Sequence, residues 1–277
     1  MARRLLSAAL VLAAVSSAAV PAGEASGRLQ LPALTARSAI VVDAANGGVL
    51  FSKNPFLRLP PASTAKVMTV LLAVERLTPY RTVRISRNAA AASPSKAGLT
   101  VGAEYKAWDL IVAALVASSN DAAVALAEAV SGSEPEFAKL MNRRAEELGM
   151  RNTRFVNATG LTDKRRTQYS TAYDLTLLMR RAARDRRLDE AMGLLAWSFS
   201  GSDGRVIEVK SHNKMLWRTP KFVKGKTGWT FASRHTFVGT DYSPYKKIHF
   251  AMLSSTEPWD DIEELANFGL RQKAAHA

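Results

Sequence analysis

A serine and a lysine three residues apart are the residues whose types and spacing point first to chemistry. Ser63 and Lys66 follow the pair Pro60-Pro61 and stand at the start of a strongly apolar segment. In a helix this spacing places both side chains on one face, about one turn apart, so the lysine amine can reach the serine hydroxyl. Serine is a weak nucleophile unless a neighbouring base takes its proton. The pair therefore predicts a serine nucleophile with a lysine base.

The same two residues also have a structural interpretation. Serine is a good helix N-cap, and Lys66 would then be a surface residue in the first helical turn. Against this, the helix macrodipole disfavours a positive charge at that end, and apolar residues almost all around the segment indicate a buried helix. A four-residue pattern with two free positions still recurs often by chance, so it indicates a function only when further motifs accompany it.

Two further motifs follow in the chain. The cluster Ser118-Ser119-Asn120-Asp121 interrupts a helical pattern, where an N-cap at Ser119 or Asn120 would explain it equally well. Lys226-Thr227-Gly228 stands at a predicted strand start, before Trp229, and alone indicates little more than a basic residue beside a turn. Together S-x-x-K, S-x-N and K-T-G, in this order, are typical of serine acyl-transferases that recognise penicillin.

The elements around these motifs predict where they lie. Residues 39–43 and 49–51 predict a hairpin with a turn at Asn46-Gly47-Gly48, and the Ser63 helix should end near Leu77 because Thr78-Pro79 breaks it. Residues 81–85 predict a short strand, and the stretch to Gly102 is loop-like. Mainly helical segments follow. We expect them at residues 108–117, 122–130 and 134–148, with a further helix capped by Ser170 or Thr171.

The last third of the chain returns to strands. Residues 206–209, 222–223, 237–239 and 248–253 have strand character, a turn is expected at Ser243-Pro244, and residues 259–270 predict a final helix. Because the first and last parts supply strands, the predicted fold is of the α+β type. One antiparallel sheet built from N- and C-terminal segments is flanked by helices, with a mainly helical lobe inserted.

Composition limits the classes of function. The chain has 277 residues, 47% of them hydrophobic, which suits one large domain or two fused lobes. The absence of cysteine excludes disulfides and thiolate metal sites, and four histidines without an H-E-x-x-H pattern argue against a metal hydrolase, so we expect neither metal nor cofactor. A net charge of +14 favours polyanions. Because the basic residues are scattered, we expect cell-wall polymers or anionic lipid rather than nucleic acid.

The N-terminus is typical of a secretory signal. Arg3 and Arg4 precede an apolar run from Leu5 to Val20 and a stretch of small residues. The run is shorter than the roughly 20 residues that cross a bilayer. We therefore predict a signal peptide at residues 1–25 and a catalytic domain at residues 26–277. The mature protein would be periplasmic or otherwise extracytoplasmic, soluble or peripherally associated, with no transmembrane segment after cleavage.

The motifs and their surroundings resemble the low-molecular-mass penicillin-binding proteins, the exported D-alanyl-D-alanine carboxypeptidases. Pro61-Ala62-Ser63-Thr64-Ala65-Lys66-Val67-Met68-Thr69 resembles the nucleophile segment of that family, and Ser118-Ser119-Asn120-Asp121-Ala122 its second motif. Residues 157–161, 169–175 and 213–216 are similar to further landmarks. The resemblance covers about residues 39–270 and implies a fold like that of β-lactamases and transpeptidases.

The resemblance also implies roles for residues. Ser63 would attack the carbonyl between two D-alanines of a peptidoglycan stem peptide, or a β-lactam, with Lys66 as base. Ser118 would relay a proton to the leaving amine and Asn120 would hold the substrate amide. The backbone N–H groups of Ser63 and Trp229 would stabilise the oxyanion. Lys226 and Thr227 would face the terminal carboxylate, and Gly228 would let the strand approach the substrate.

Departures from the family pattern leave alternatives open. The family often carries an arginine before Asn213 and another ahead of the last helix, where this chain has His212 and the Trp259-Asp260 region. A DD-endopeptidase that cleaves peptidoglycan crosslinks is the nearest alternative. A non-catalytic, penicillin-sensing or wall-binding homologue is another. A class A β-lactamase needs a glutamate that activates the deacylating water, and no convincing loop carries one.

Overall fold

The computed structural model describes residues 31–162, 167–218, 223–243 and 246–275. The predicted signal peptide, Phe222 and Pro244 lie outside these ranges. The strands are β1 (Ser38–Asp43), β2 (Val49–Lys53), β3 (Thr82–Arg84), β4 (Glu104–Lys106), β5 (Ala196–Ser200), β6 (Val206–Lys210), β7 (Val223–Thr230), β8 (Arg234–Ser243) and β9 (Lys246–Ser255). The helices are α1 (Lys66–Arg76), α2 (Arg87–Ala91), α3 (Ala107–Val116), α4 (Asn120–Ser131), α5 (Glu134–Glu147), α6 (Ala172–Ala182), α7 (Arg186–Ala191) and α8 (Pro258–Ala275).

A five-stranded antiparallel sheet unites the N- and C-terminal segments, in the order β2-β1-β9-β8-β7. The register places Ile40 opposite Ala251, so β1 lies between its hairpin partner β2 and the late strand β9. Residues 39–42 are at most 4% exposed, because helices cover both sides of the sheet. Val41 packs towards α8, whereas Ile40 joins the larger core that contains α1 and α6. The predicted sheet of N- and C-terminal segments is confirmed.

The helical lobe lies between β2 and β7 in the chain. Its central helices α3 and α4 are buried along nearly their whole length, and Gly132 ends α4 in the left-handed conformation, with φ of 75°. Thr171 caps α6 by accepting a hydrogen bond from the backbone N–H of Asp174 at 3.0 Å. These helices, and the end of α1 at Arg76, confirm the predicted pattern. Within the described ranges, no helix is long and apolar enough to cross a membrane.

Four features differ from the sequence prediction, the first being strand β4, which was not predicted. The stretch after β3, expected to be a loop, contains the short helix α2, capped by Ser86, whose Oγ accepts from the N–H of Ala89 at 2.9 Å. Strand β5 was not predicted and pairs with β6 along its whole length. Lys226 lies in the middle of β7 rather than at a strand start. Glycine-rich segments have low strand propensity, so pairing with β8 is what makes residues 224–228 extended.

Candidate active site

Ser63 lies in a tight 3-10 turn, Ala62–Ala65, that leads directly into α1. The carbonyl of Pro61 accepts hydrogen bonds from the hydroxyls of Thr64, at 2.6 Å, and Thr236 on β8, at 3.0 Å. The turn is therefore fixed to the sheet. Neither cap position of these two helical segments carries a side-chain cap bond, so the N-cap interpretation of Ser63 is wrong.

Lys66 is fully buried directly behind Ser63. Its side chain is 0% exposed, and its Nζ donates to Ser63 Oγ at 3.0 Å and to the carbonyl of Thr159 at 2.9 Å. Burial, together with the charge of Lys226, lowers the pKa of the Lys66 ammonium well below its usual value, while Asp121 and Glu134 act in the opposite direction. A lysine held in this way can lose its proton and accept the one on the Ser63 hydroxyl.

Lys226 is the second buried lysine of the site. It is 1% exposed on β7 and donates through Nζ to the carbonyl of Thr227 at 2.8 Å. Burial lowers the pKa of Lys226 to about 7. Its charge also acts on Lys66 and makes the Lys66 ammonium easier to deprotonate.

Ser118 and Asn120 lie at the junction between α3 and α4. Ser118 adopts the left-handed conformation, with φ of 58°, which is uncommon outside glycine and directs the chain sharply between the two helices. Asn120 is 1% exposed and donates through Nδ2 to the carbonyl of Ser93 at 3.2 Å. Its Oδ1 is buried and has no hydrogen-bond partner among the described residues. An unpaired buried acceptor costs about 1–3 kcal/mol, so this oxygen is available for an N–H donor.

A cavity of about 280 Å³ opens in front of Ser63. Five of the eight predicted site residues line it, and the other three, Lys66, Asn120 and Lys226, are buried outside its lining. The five are Ser63, Ser118, Thr227, Gly228 and Trp229. The structure thus gathers residues separated by more than 160 positions in the sequence around one opening.

Gly228 is where the sheet approaches the nucleophile most closely. A Cβ built at this position would lie 2.8 Å from the backbone N of Ser63 and 2.4 Å from Thr236 Oγ1. Any larger residue would push β7 away from the turn. We expected Gly228 to allow the substrate close to the strand, and in the structure the first consequence of the missing side chain is contact between the strand and the Ser63 turn.

The loop 157–161 contributes a part of the site that motif spacing did not reveal. Asn157 Oδ1 accepts from the N–H of Gly160 at 2.8 Å and so folds the loop on itself. Gly160 has φ of 81°, and a Cβ there would lie 1.8 Å from the carbonyl oxygen of Ala62. This close packing carries the carbonyl of Thr159 to Lys66. The family resemblance marked the segment, but its contact with the base needed the fold.

The outer part of the cavity is aromatic and contains residues that the sequence had not assigned to the site. His212, His235 and Trp259 line it, together with apolar side chains of β8 and α8. No lysine or arginine is among the described residues that line it. His212 and Trp259 occupy the regions where the family pattern has its arginines, and only that departure could have signalled them.

A sheet built from both ends of a domain, with a serine–lysine pair at its edge beneath a helical lobe, is the architecture of penicillin-binding proteins and DD-peptidases. The chain belongs to the D-alanyl-D-alanine carboxypeptidase family, whose model matches residues 25–254.

Known proteins agree with this placement. The chain is 30% identical over 249 residues to the D-alanyl-D-alanine carboxypeptidase DacF of Bacillus subtilis, covering 87% of this chain and 64% of that one. It is 35% identical over 185 residues to a D-alanyl-D-alanine endopeptidase of Pseudomonas aeruginosa, covering 65% and 58%. A crystal structure of a D-alanyl-D-alanine carboxypeptidase from Mycobacterium tuberculosis superimposes with a TM-score of 0.83 at 29% identity, covering 89% and 95%. The chain thus spans less than two thirds of these Bacillus and Pseudomonas relatives.

Proposed function

We propose that this protein is a serine-type D-Ala-D-Ala carboxypeptidase that removes the terminal D-alanine from peptidoglycan stem peptides. The observation that carries the proposal is the 3.0 Å contact between Lys66 Nζ and Ser63 Oγ, made by a lysine that is 0% exposed. A buried lysine with a lowered pKa, in contact with a serine at the mouth of a cavity, is the arrangement that nucleophilic acyl transfer needs.

In the proposed reaction, Lys66 takes the proton of Ser63 as Oγ attacks the carbonyl carbon between the two D-alanines. The negative charge that develops on the carbonyl oxygen is stabilised by the backbone N–H groups of Ser63 and Trp229. The C–N bond then breaks, Ser118 passes a proton to the leaving amine, and an ester on Ser63 remains. Water hydrolyses that ester and regenerates the serine. A β-lactam forms an ester with Ser63 in the same way. Because its leaving amine stays covalently attached to the acyl group, the acyl-enzyme is long-lived.

The remaining residues hold the substrate in this scheme. The unpartnered Oδ1 of Asn120 accepts a hydrogen bond from the substrate backbone amide. Thr227 lines the cavity and offers its hydroxyl to the terminal carboxylate, to which Lys226 adds positive charge from behind the strand. Gly228 keeps β7 close to the Ser63 turn, so that the backbone N–H groups of Ser63 and Trp229 both reach the same carbonyl oxygen of the substrate.

Covalent labelling tests the nucleophile directly. Fluorescent penicillin should label the wild-type protein, and Ser63→Ala should remain folded and unlabelled. Ser52→Ala is the matched control because Ser52 is an exposed serine on β2. It should label like wild type. Labelling of Ser63→Ala would refute the assignment because another residue would then be the nucleophile. Failure of the wild type to label would favour a non-catalytic homologue.

A DD-endopeptidase is the second candidate function, and the outer cavity favours it. A carboxypeptidase must recognise a free carboxylate beside the scissile bond. The lining near Trp259 and His235 contains no lysine or arginine among the described residues, and its aromatic surface suits a bulkier leaving group. One of the relatives above is named an endopeptidase.

Product analysis separates the two activities. Purified protein is incubated with a pentapeptide, the same peptide ending in an amide, and a crosslinked muropeptide dimer, and the products are identified by mass. A carboxypeptidase should prefer the free acid to the amide by roughly 10–150-fold in kcat/KM, because one charge-assisted hydrogen bond is lost. Equal cleavage of acid and amide, with faster opening of the dimer, would replace the carboxypeptidase proposal with the endopeptidase.

We also propose export and removal of residues 1–25, which leaves residues 26–277 as the catalytic domain. The basis is the Arg3-Arg4 pair and the apolar run after it. In this scheme the enzyme meets peptidoglycan and β-lactams outside the cytoplasmic membrane. Mass measurement of protein secreted by a bacterial host should show cleavage between about Ala19 and Ala25. An exported product that retains Met1 would indicate an uncleaved anchor instead.

A further inference from the structure

A second, much smaller cavity lies where α6 ends against the sheet. Its volume is about 70 Å³, and its lining consists of Ala44, Arg180, Ala183, Arg184, Lys247 and His249. We call it the basic cavity. It shares no lining residue with the cavity in front of Ser63. Thr240, which bonds His249, is four residues along β8 from Thr236, which anchors the Ser63 turn, so the two places are about 13 Å apart along the strand.

The arginines of the basic cavity have no acidic partner in the part of the chain that the structure describes. Arg180 Nε is buried without a hydrogen-bond partner among the described residues, and neither Arg180 nor Arg184 is within ion-pair distance of a described carboxylate. The adjacent Arg181 behaves differently, since it pairs with Glu75 at 2.7 Å. No Asp or Glu is among the described residues of the lining.

Asp189, the carboxylate that acts to raise the pKa of Lys247 and His249, is also engaged elsewhere. Asp189 forms an ion pair with Lys224 at 2.9 Å and accepts a hydrogen bond from the hydroxyl of Tyr242. His249 is the buried histidine of this lining. It is 2% exposed, its Nδ1 contacts Thr240 Oγ1 at 2.7 Å, and burial together with Lys247 and Arg180 lowers its pKa to about 4.

A helix C-terminus attracts cations, and this accounts for arginines in the last turn of α6. It does not account for the two residues of β9, Lys247 and His249, that face the same space from the sheet. Three charged side chains, those of Arg180, Arg184 and Lys247, converge on one opening beside His249, and the two arginines have no ion-pair partner among the described residues. Repulsion between like charges is unfavourable. A bound anion would remove that cost.

We propose that the basic cavity binds a tetrahedral oxyanion of the phosphate type, either as the free ion or as a phosphodiester carried by an anionic polymer. Guanidinium groups match phosphate geometry with paired N–H donors, and the unpartnered Nε of Arg180 is one such donor. The volume holds a group of a few heavy atoms, whereas drug-sized ligands occupy about 300–1,000 Å³. This proposal is independent of the proposed peptidase activity.

Phosphate titration by calorimetry, at constant ionic strength set with chloride, tests the site. The variants are Arg180→Gln and Arg184→Gln, and the matched control is Arg186→Gln, an arginine 90% exposed that pairs with Glu190 outside the cavity. We expect saturable binding to wild type and control with equal Kd, and a Kd raised at least tenfold in both cavity variants. Equal affinity in all four proteins, or no saturable heat in the wild type, would overturn the proposal.

NMR of the histidines is a second test of the site, which applies even if Arg180→Gln does not fold. Arg184 is exposed, so Arg184→Gln should fold and is sufficient by itself. In histidine-labelled wild-type protein, the NMR signals of His249 should move on addition of phosphate, while those of His235, in the other cavity, should not. Unmoved His249 signals, together with wild-type affinity in Arg184→Gln, would exclude the site.

Further arms identify the form and source of the anion. Acetate at the same concentration should not displace phosphate, and displacement at equal concentrations would contradict the phosphate type. A polyglycerol phosphate chain that competes with phosphate in wild type, but does not bind Arg184→Gln, would assign the site to polymer-borne phosphodiesters. A polymer that binds wild type and Arg184→Gln equally would be attracted by the net charge of +14, and the cavity would then serve the free ion.

Discussion

Two groups of basic side chains lie on the helical-lobe side of the sheet, and they differ in whether their charge can be lost. At the catalytic end, Lys66 and Lys226 are 0% and 1% exposed, and burial lowers the pKa of both. In the basic cavity, two arginines stand beside Lys247 and the buried His249. A buried lysine relieves repulsion by releasing a proton, whereas arginine remains charged at any working pH.

This difference assigns the two regions different chemistry. The lysine pair can supply a neutral amine next to a serine, which is what a general base must be. The arginines cannot act as bases because they keep their charge. A bound anion would balance that charge, which is why we propose an anion site there. The three predictions below test each half of this contrast, beginning with the largest expected effect.

Replacing Lys66 by arginine should lower the rate of Ser63 acylation by about 10²–10⁴-fold, because charge is kept while the neutral amine is lost. The rate of labelling by fluorescent penicillin measures this. Lys139→Arg, at a lysine 66% exposed on α5, is the matched control and should react at the wild-type rate. A loss of less than about tenfold at Lys66 would mean that another group takes the proton and that the contrast between the regions is false.

Replacing His249 by glutamine should make stability less dependent on pH. The folded-state pKa of His249 is about 4, against 6.5 for an ordinary histidine, so the unfolded chain binds more protons between these values and stability falls as pH falls through that window. The full shift corresponds to about 3 kcal/mol. Urea unfolding of both proteins at pH 7 and pH 4, in chloride without phosphate, measures the difference. Parallel profiles would mean that burial and the basic neighbours do not hold His249 neutral.

Replacing Lys226 by glutamine should move the titration of Lys66. The charge of Lys226 lowers the pKa of Lys66, so its removal should raise the midpoint of the acylation rate against pH. The midpoint is the readout because Lys226 is also proposed to attract substrate, which affects the rate at every pH. Lys224→Gln, two residues along β7 and paired with Asp189, should leave the midpoint in place. An unchanged midpoint in Lys226→Gln would mean that the charge of Lys226 does not affect the pKa of Lys66.

Much of the fold was predictable because its elements carry strong local signals. The hairpin that contains β1, the helices α3 to α6 and their stops, and the final helix were all expected from apolar periodicity, turn residues and caps. The five-residue helix α2 and the strand β5 were not. A helix of one turn has too few positions to show periodicity, and β5 is stabilised by pairing with β6.

The site, too, was only partly predictable from the sequence. Motif order identified Ser63, Lys66 and the residues around Ser118 and Lys226, since acyl transfer requires those residue types. The contact of Lys66 with the carbonyl of Thr159 was not predictable, because any residue supplies a carbonyl and only the fold brings this one close. The aromatic outer cavity at Trp259 and His235 likewise depends on how α8 and β8 pack together.

By itself, the sequence determined the residue types able to do chemistry, the order of the motifs and the sheet built from both ends of the chain. Each of these follows from composition, spacing or local propensity. Only the tertiary structure decided the lowered pKa of the two lysines, the lack of ion-pair partners for Arg180 and Arg184, and the absence of a lining cation near Trp259, all among the described residues. Burial and distance set the energy of a charge, and both depend on residues that are far apart in the chain.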